Sequence, residues 1–264
     1  MPTLTAKQPD FKETTALQKF RSRIQYLNQH SQLVDASLTK TAKYLQKYKP
    51  KETFISTALG ESTDTHDTLN HPTKETFRII NYSRAKNSEY AIIELYNCFT
   101  EYMRNILTEM YRKEPMKIVQ KIAEENKDNK LSFSEIVTLG DYTKISELMV
   151  SKVFRKLENE RSTSLLLEKI LNHTKVKIKD NLKQESLMYL QMRHLFIHNR
   201  GLADKLFAEE FKDLTATNPG NKLPTNFNST SRALETVAKL CETIDLELIK
   251  ENLVDKRVLT KRTE

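Results

Sequence analysis

Apolar residues recur at intervals of three and four along most of this chain, the spacing that lines one face of an α-helix. From Leu17 the register runs through Phe20, Ile24 and Leu27 to Val34, Leu38, Leu45 and Tyr48, with Ser31 and Thr41 in two polar slots. This pattern predicts a helix or a helical hairpin with one narrow apolar seam. The seam could pack on its own domain or serve as a self-association arm; two polar slots in so short a seam favour the first. Pro50 closes the region. Residues 51–74 are rich in Thr, Ser, Asp and Lys and contain Pro72, which predicts a long loop or linker. His66 and His71 lie there without a Cys or a third His nearby, and read as solvated side chains rather than metal ligands.

A second helical region begins near Glu75. Tyr90, Ile93, Tyr96, Phe99 (or Cys98), Met103, Ile106, Leu107 and Met110 mark a long amphipathic helix, broken by Pro115. A shorter segment at 116–125 and a turn at 127–130 follow. Ser132 and Glu135 form a capping-box pattern opening a short helix that stops near Gly140. Ile145, Leu148, Met149, Val153 and Leu157 mark the next helix, and Ser162 or Ser164 caps a further one carrying Leu165, Leu167, Ile170 and Leu171. Residues 181–199 are apolar around most of the helix circumference, as expected of a buried central helix. After Gly201 come a partly helical stretch to Leu214, a polar loop through Thr230 and a closing helix over 231–251. Residues 1–13 are expected to be disordered. The resulting division is an N-terminal helical region (1–50), a linker or long loop (51–74), a helical domain (75–254) and a charged tail (255–264).

Composition narrows the fold. Only 4 Gly and 7 Pro occur in 264 residues, few for a chain of tight β-turns, so the fold class is all-α. The 2 cysteines, Cys98 and Cys241, form no CxxC pair and read as reduced thiols of an intracellular protein, with Cys98 in the core. No apolar run approaches the roughly 18 residues of a membrane span. The first residues lack the apolar centre of a signal peptide, so no membrane is expected and the cytoplasm is the default location. A net charge of +8 suits a polyanionic partner, but the basic residues are scattered as on any lysine-rich surface. There is no internal repeat, Walker loop or dinucleotide glycine fingerprint.

The densest chemistry lies at the end of the 181–199 helix, where Arg193, His194 and His198 precede a glycine stop at Gly201. A guanidinium beside an imidazole can hold a phosphate while a proton moves, the need of metal-free RNA cleavage. Arg193 and His198 are five residues apart, about 7.5 Å of rise and about 140° of rotation, so only the long arginine side chain can bring them to one site. His194 and His198 are four apart and share a face. Burying an arginine and two histidines among Leu, Phe and Ile costs several kcal/mol unless a carboxylate, a second subunit, water or a phosphate compensates. Three other readings compete. Arg193 could pair structurally with a carboxylate. His198 and Arg200 could be helix C-terminal cations before an αL glycine. His194 and His198 could bind zinc, although no third ligand or catalytic Glu accompanies them.

The pattern Arg193-x4-His198 with a polar residue, His194, directly after the arginine resembles the signature of the HEPN superfamily, R-x(4–6)-H with Asn, Asp or His after the Arg. The run from Arg193 to Gly201 is similar to that of the RiboL-PSP and MAE branches. The order of a long helix with a Glu-rich start, shorter helices, the motif helix, a Gly-Asn-Lys-Leu-Pro loop and a closing helix also fits, over about residues 75–254. The resemblance implies a HEPN-like helical bundle with an added N-terminal helical region. It implies a metal-independent endoribonuclease that needs no cofactor and works as a homodimer with a composite active site. His198 would move protons at the 2′-hydroxyl or the leaving 5′-oxygen, Arg193 would stabilise the phosphorane, and His194 would orient His198 or the phosphate. Asn199 and Arg200 are weaker, substrate-contacting candidates. The products would be 2′,3′-cyclic phosphate and 5′-hydroxyl ends. The expected role is that of a toxin or abortive anti-phage effector cutting tRNA, mRNA or rRNA, with an antitoxin or defence-system protein as partner. The sequence departs from toxins regulated by a nucleotidyltransferase antitoxin, which carry Tyr two residues after the His; here Arg200 stands, so adenylylation at that spot is not expected. The alternatives are a non-catalytic HEPN-like module binding a nucleotide, RNA or protein, and a structural interaction protein built on the Leu17–Tyr48 seam.

Overall fold

The computed structural model describes residues 12–49, 51–60, 66–113, 131–159, 167, 168, 171, 174 and 176–257. The fold is all-α. Among the described residues eight α-helices follow one another: α1 (Thr15–Leu45), α2 (Ile55–Leu59), α3 (Thr76–Lys113), α4 (Phe133–Leu139), α5 (Tyr142–Asn159), α6 (Asp180–His198), α7 (Lys205–Glu210) and α8 (Phe227–Lys250). None of these helices is long and apolar enough to cross a membrane. The expected segments at 116–125 and 127–130 lie outside the described residues, as do residues 1–11 and most of the helix expected after Ser162.

The first apolar seam forms one continuous helix of 31 residues rather than a hairpin. Leu17, Phe20, Ile24, Leu27 and Leu45 are buried, so the protein's own core covers most of the seam, and the polar slot Ser31 is buried with them. The segment 51–74 departs from the expected loop. It contains α2, ended by Gly60 in the left-handed region (φ 71°), and two 3-10 turns at Asp67–Leu69 and Thr73–Glu75. The Ile55 amide donates to the His71 carbonyl at 2.8 Å and the Thr73 amide to the Thr53 carbonyl at 2.9 Å, closing the segment on itself. Ile55 and Ala58 join Leu45 in a small apolar cluster with Tyr48, Leu69 and Ile79 around it. Three apolar residues in one and a half turns are too few to register as a helical period, yet they suffice once neighbours supply the rest of the cluster.

The capping box at Ser132 forms as its sequence predicts: the Ser132 hydroxyl accepts from the Glu135 amide, and the Glu135 carboxylate accepts from the Ser132 amide at 2.7 Å. The closing helix α8 starts four residues earlier than its apolar register, because Asn226 caps it, its side-chain oxygen accepting from the Ser229 amide at 3.0 Å.

The chain divides into two compact units, one of residues 1–23, 97–187 and 236–264, the other of 24–96 and 188–235. In the first, Phe99, Tyr102, Met103, Ile106, Leu187, Val237, Leu240, Ile244 and Leu248 are buried, as are the free cysteines Cys98 and Cys241. A fully buried carboxylate, Asp245, joins the start of α1 to this core. It accepts from the Thr14 amide at 2.9 Å and from the Thr14 hydroxyl at 2.5 Å, while Thr14 caps α1 by accepting from the Leu17 amide at 3.0 Å. Burial raises the Asp245 carboxyl above its ordinary range, and the two Thr14 hydrogen bonds oppose that rise. Nearby in the same unit, the Tyr102 hydroxyl donates to the Cys241 carbonyl at 3.1 Å. In the second unit the buried set includes Ile92, Leu95, Leu190, Met192, Leu195, Phe207, Phe211 and Leu234.

Two predictions concern this scaffold. Asp245→Ala strands the buried Thr14 donors and should cost about 2–4 kcal/mol, read from urea unfolding. In addition, burial, reinforced by Asp245, raises the Glu109 carboxyl from 4.5 to about 7. The folded state then holds more protons than the unfolded one between these values, so stability should fall as pH rises from about 4.5 to about 7. Melting temperatures across that window should decline for the wild type and decline less for Glu109→Gln.

Candidate functional site

Helix α6 is apolar enough to be buried through its middle: residues 187–190, Met192, Leu195 and Phe196 are all covered. It emerges only in its last turn, where Ile197 is 43% exposed and His198 is also exposed. Arg193 and His194 sit at the boundary, half-buried. The expected central helix is therefore buried, and its chemistry sits at the end that reaches the surface.

The Arg193 guanidinium lies over the ring of Tyr96 of α3, with its central carbon 4.9 Å from the ring centroid. Its Nε is buried and has no hydrogen-bond partner among the described residues. No described carboxylate makes an ion pair with Arg193. The π-face offsets part of the desolvation cost of the cation but accepts no N–H in the ring plane, so donor capacity is left for an anion. His194 and His198 stack one turn apart, their ring centroids 4.7 Å apart and tilted by 41°. No described group of three His, Cys, Asp or Glu is placed to hold a metal ion.

The helix stop fixes where these groups point. Arg200 (φ 53°) and Gly201 (φ 73°) are both left-handed, and the Gly201 amide turns back to the Leu195 carbonyl at 2.9 Å. A Cβ on Gly201 would stand 3.1 Å from Phe196 Cδ1, so the position needs glycine both for its backbone and for the adjoining ring. The Asn199 amide donates to the Leu202 carbonyl at 2.7 Å, which commits one of its side-chain donors to the loop. Arg200 is exposed.

The turn-rich 217–224 segment is tied to this stop. Leu223 donates to the Gly201 carbonyl at 2.8 Å, Ala203 to Asn221 at 2.9 Å and Gly220 to Ala203 at 2.8 Å, making an antiparallel bridge between Leu202 and Lys222. The loop following the motif helix is thus held by backbone hydrogen bonds, with Arg200 and Lys222 exposed on its two sides. On the other side of α6 the Gln191 amide donates to the Glu210 carboxylate of α7 at 3.1 Å.

The structure therefore brings together His194 with His198, and Arg193 with Tyr96. Tyr96 was visible in the sequence only as one more apolar position of α3; its contact with Arg193 spans 97 residues and no local signal announces it.

Gly201→Ala should lower stability by about 1–3 kcal/mol in urea unfolding, and Arg200→Gly should be neutral or slightly stabilising, because only the first introduces a Cβ at a left-handed, crowded position. Comparison of the chain with protein-family models, curated proteins and solved structures returns no match.

Proposed function

We propose that this protein is a metal-independent endoribonuclease of the HEPN type, a cytoplasmic toxin or anti-phage effector. It would act as a homodimer in which two copies of the Arg193–His198 segment form a composite site, and its substrate would be tRNA, mRNA or rRNA. The observation that carries this reading is the state of Arg193: a half-buried guanidinium held on Tyr96, with a buried Nε that has no hydrogen-bond partner among the described residues, on the same short segment as two imidazoles in ring contact. A cation desolvated in this way, with no carboxylate paired to it among the described residues, is suited to a phosphate ligand.

In the proposed reaction the exposed His198 accepts the proton of a ribose 2′-hydroxyl. The 2′-oxygen attacks the adjacent phosphorus, the bond from phosphorus to the 5′-oxygen breaks, and that oxygen leaves with a proton supplied by an imidazolium of the composite site. The ends are a 2′,3′-cyclic phosphate and a 5′-hydroxyl. Arg193 meets the charge that builds on the phosphorane oxygens. His194, half-buried and in ring contact with His198, would orient that ring. Arg200 and Lys222, both exposed, would contact flanking phosphates, and Asn199 holds the loop that carries Arg200.

The test is cleavage of labelled RNA by purified variants. His198→Ala and Arg193→Ala should each lower the rate by about 100-fold or more. Tyr96→Phe, which keeps the ring, should stay near wild type, and Tyr96→Leu should lose about tenfold through loss of the cation–π contact. Unchanged cleavage and unchanged cellular toxicity in a well-folded His198→Ala protein would sink the proposal.

A further inference from the structure

Helix α1 carries a second periodic stripe, on the side away from its buried seam. Tyr26, His30, Leu33, Ser37, Lys40 and Tyr44 recur at alternating intervals of four and three, the spacing of a coiled-coil seam, and every one of them is exposed. Tyr26 is 71% and Leu33 69% exposed. From Tyr26 to Tyr44 the stripe runs about 27 Å along the helix axis, and it lies wholly in the second compact unit.

The two ends of the stripe differ in chemistry. The first half is aromatic and aliphatic, and His30 is braced there by the Tyr90 ring of α3, with centroids 5.8 Å apart. The second half is basic. Lys40 lies in the stripe, Lys43 beside it, and Lys47 follows in the turn after the helix, its Nζ 6.0 Å from the Tyr44 ring centroid. Tyr44 is itself held by a hydroxyl-to-hydroxyl hydrogen bond of 2.6 Å with Tyr48. Among the described residues no carboxylate pairs with Lys40, Lys43 or Lys47. The acids nearest in sequence are committed elsewhere, Asp35 to Arg84 at 3.2 Å and Glu52 to Lys49 at 2.9 Å. A cation in the last helical turn complements the helix dipole. That role accounts for Lys43 and leaves the exposure of Tyr26, Leu33 and Lys40 unexplained.

We propose that this stripe is the docking surface for an acidic amphipathic helix of another protein. Apolar residues of the incoming helix cover Tyr26 and Leu33, and its carboxylates meet Lys40, Lys43 and Lys47. His30 and Tyr44, already held by ring neighbours, lose little freedom on docking. A second copy of this chain is a poor occupant: two such stripes set parallel oppose lysine to lysine, and set antiparallel they lay lysines on Tyr26 and Leu33, neither stripe holding a carboxylate. An anionic bilayer also fits less well, since an interfacial helix carries its apolar and basic faces side by side along its length, whereas here they follow one another end to end. No residue of the stripe belongs to the Arg193–His198 segment, so binding here is separable from RNA cleavage.

The experiment is calorimetric titration of the full-length protein with a synthetic helical peptide of about four heptads, Leu along one face and Glu over the rest, at about 0.15 M salt to screen loose charge attraction. Saturable binding is expected. Reversing Lys40→Glu and Lys47→Glu together should weaken it about tenfold or more, and Leu33→Asp several-fold. A matching peptide with Lys in place of Glu should bind that double variant more tightly than it binds wild type, and Arg193→Ala should leave the affinity unchanged. The altered side chains of the stripe are exposed, so melting profiles should stay at wild type. Absence of saturable binding at about millimolar peptide overturns the proposal. So does equal binding of a scrambled peptide of the same composition, which lacks the apolar face, or binding indifferent to Leu33→Asp and to the lysine reversals. Uptake of polyuridylate RNA or of phosphatidylglycerol vesicles through Lys40 and Lys47, with the peptide left unbound, would give the surface to a polyanion and overturn it equally.

Discussion

A helix that is apolar nearly all round can carry an arginine only where it leaves the core, and that constraint organises the motif end of this molecule. Helix α6 buries residues 187–190, Met192, Leu195 and Phe196, so Arg193 cannot reach free water along its whole length. The compensation found for it is the Tyr96 ring, a partner that stabilises the cation without occupying its in-plane donors. A carboxylate in the same place would have neutralised the arginine and left it a structural residue. A ring leaves it charged and able to take an anion.

The same helix must then end within a few residues. Gly201 and Arg200 turn the chain through left-handed conformations, and the backbone bridge between Leu202 and Lys222 holds the loop that results. The stop brings His198 to the surface one turn beyond His194, while Phe196 packs so closely against Gly201 that a Cβ there would have to push the ring aside. Local chain reversal, imidazole exposure and arginine desolvation are thus consequences of one short stretch of sequence.

The elements that could be read directly are those whose causes are local. The all-α class follows from few glycines and a 3/4 apolar rhythm, and the Ser132–Glu135 box specifies its own helix start. Where a neighbour decides, the sequence was a poorer guide. Helix α2 exists because Leu45 and Ile79 complete a cluster that Ile55 and Ala58 only begin. Asn226 looks like a loop residue until its side chain caps α8. For the candidate site, Arg193, His194 and His198 stood out by type and spacing, and the stacking of the two imidazoles follows from their four-residue separation. Tyr96 and the Asp245–Thr14 bond did not, because each joins positions far apart in the chain through a contact that no local rule encodes.

The central claim is that the Arg193–His198 segment breaks RNA by internal attack of the 2′-oxygen, with no metal ion. The most direct measurement is mass analysis of the RNA ends produced by the purified full-length protein in the presence of EDTA. The account predicts 2′,3′-cyclic phosphate and 5′-hydroxyl ends, undiminished by the chelator. Ends bearing 3′-hydroxyl and 5′-phosphate, or cleavage abolished by EDTA and restored by a divalent metal, would contradict it.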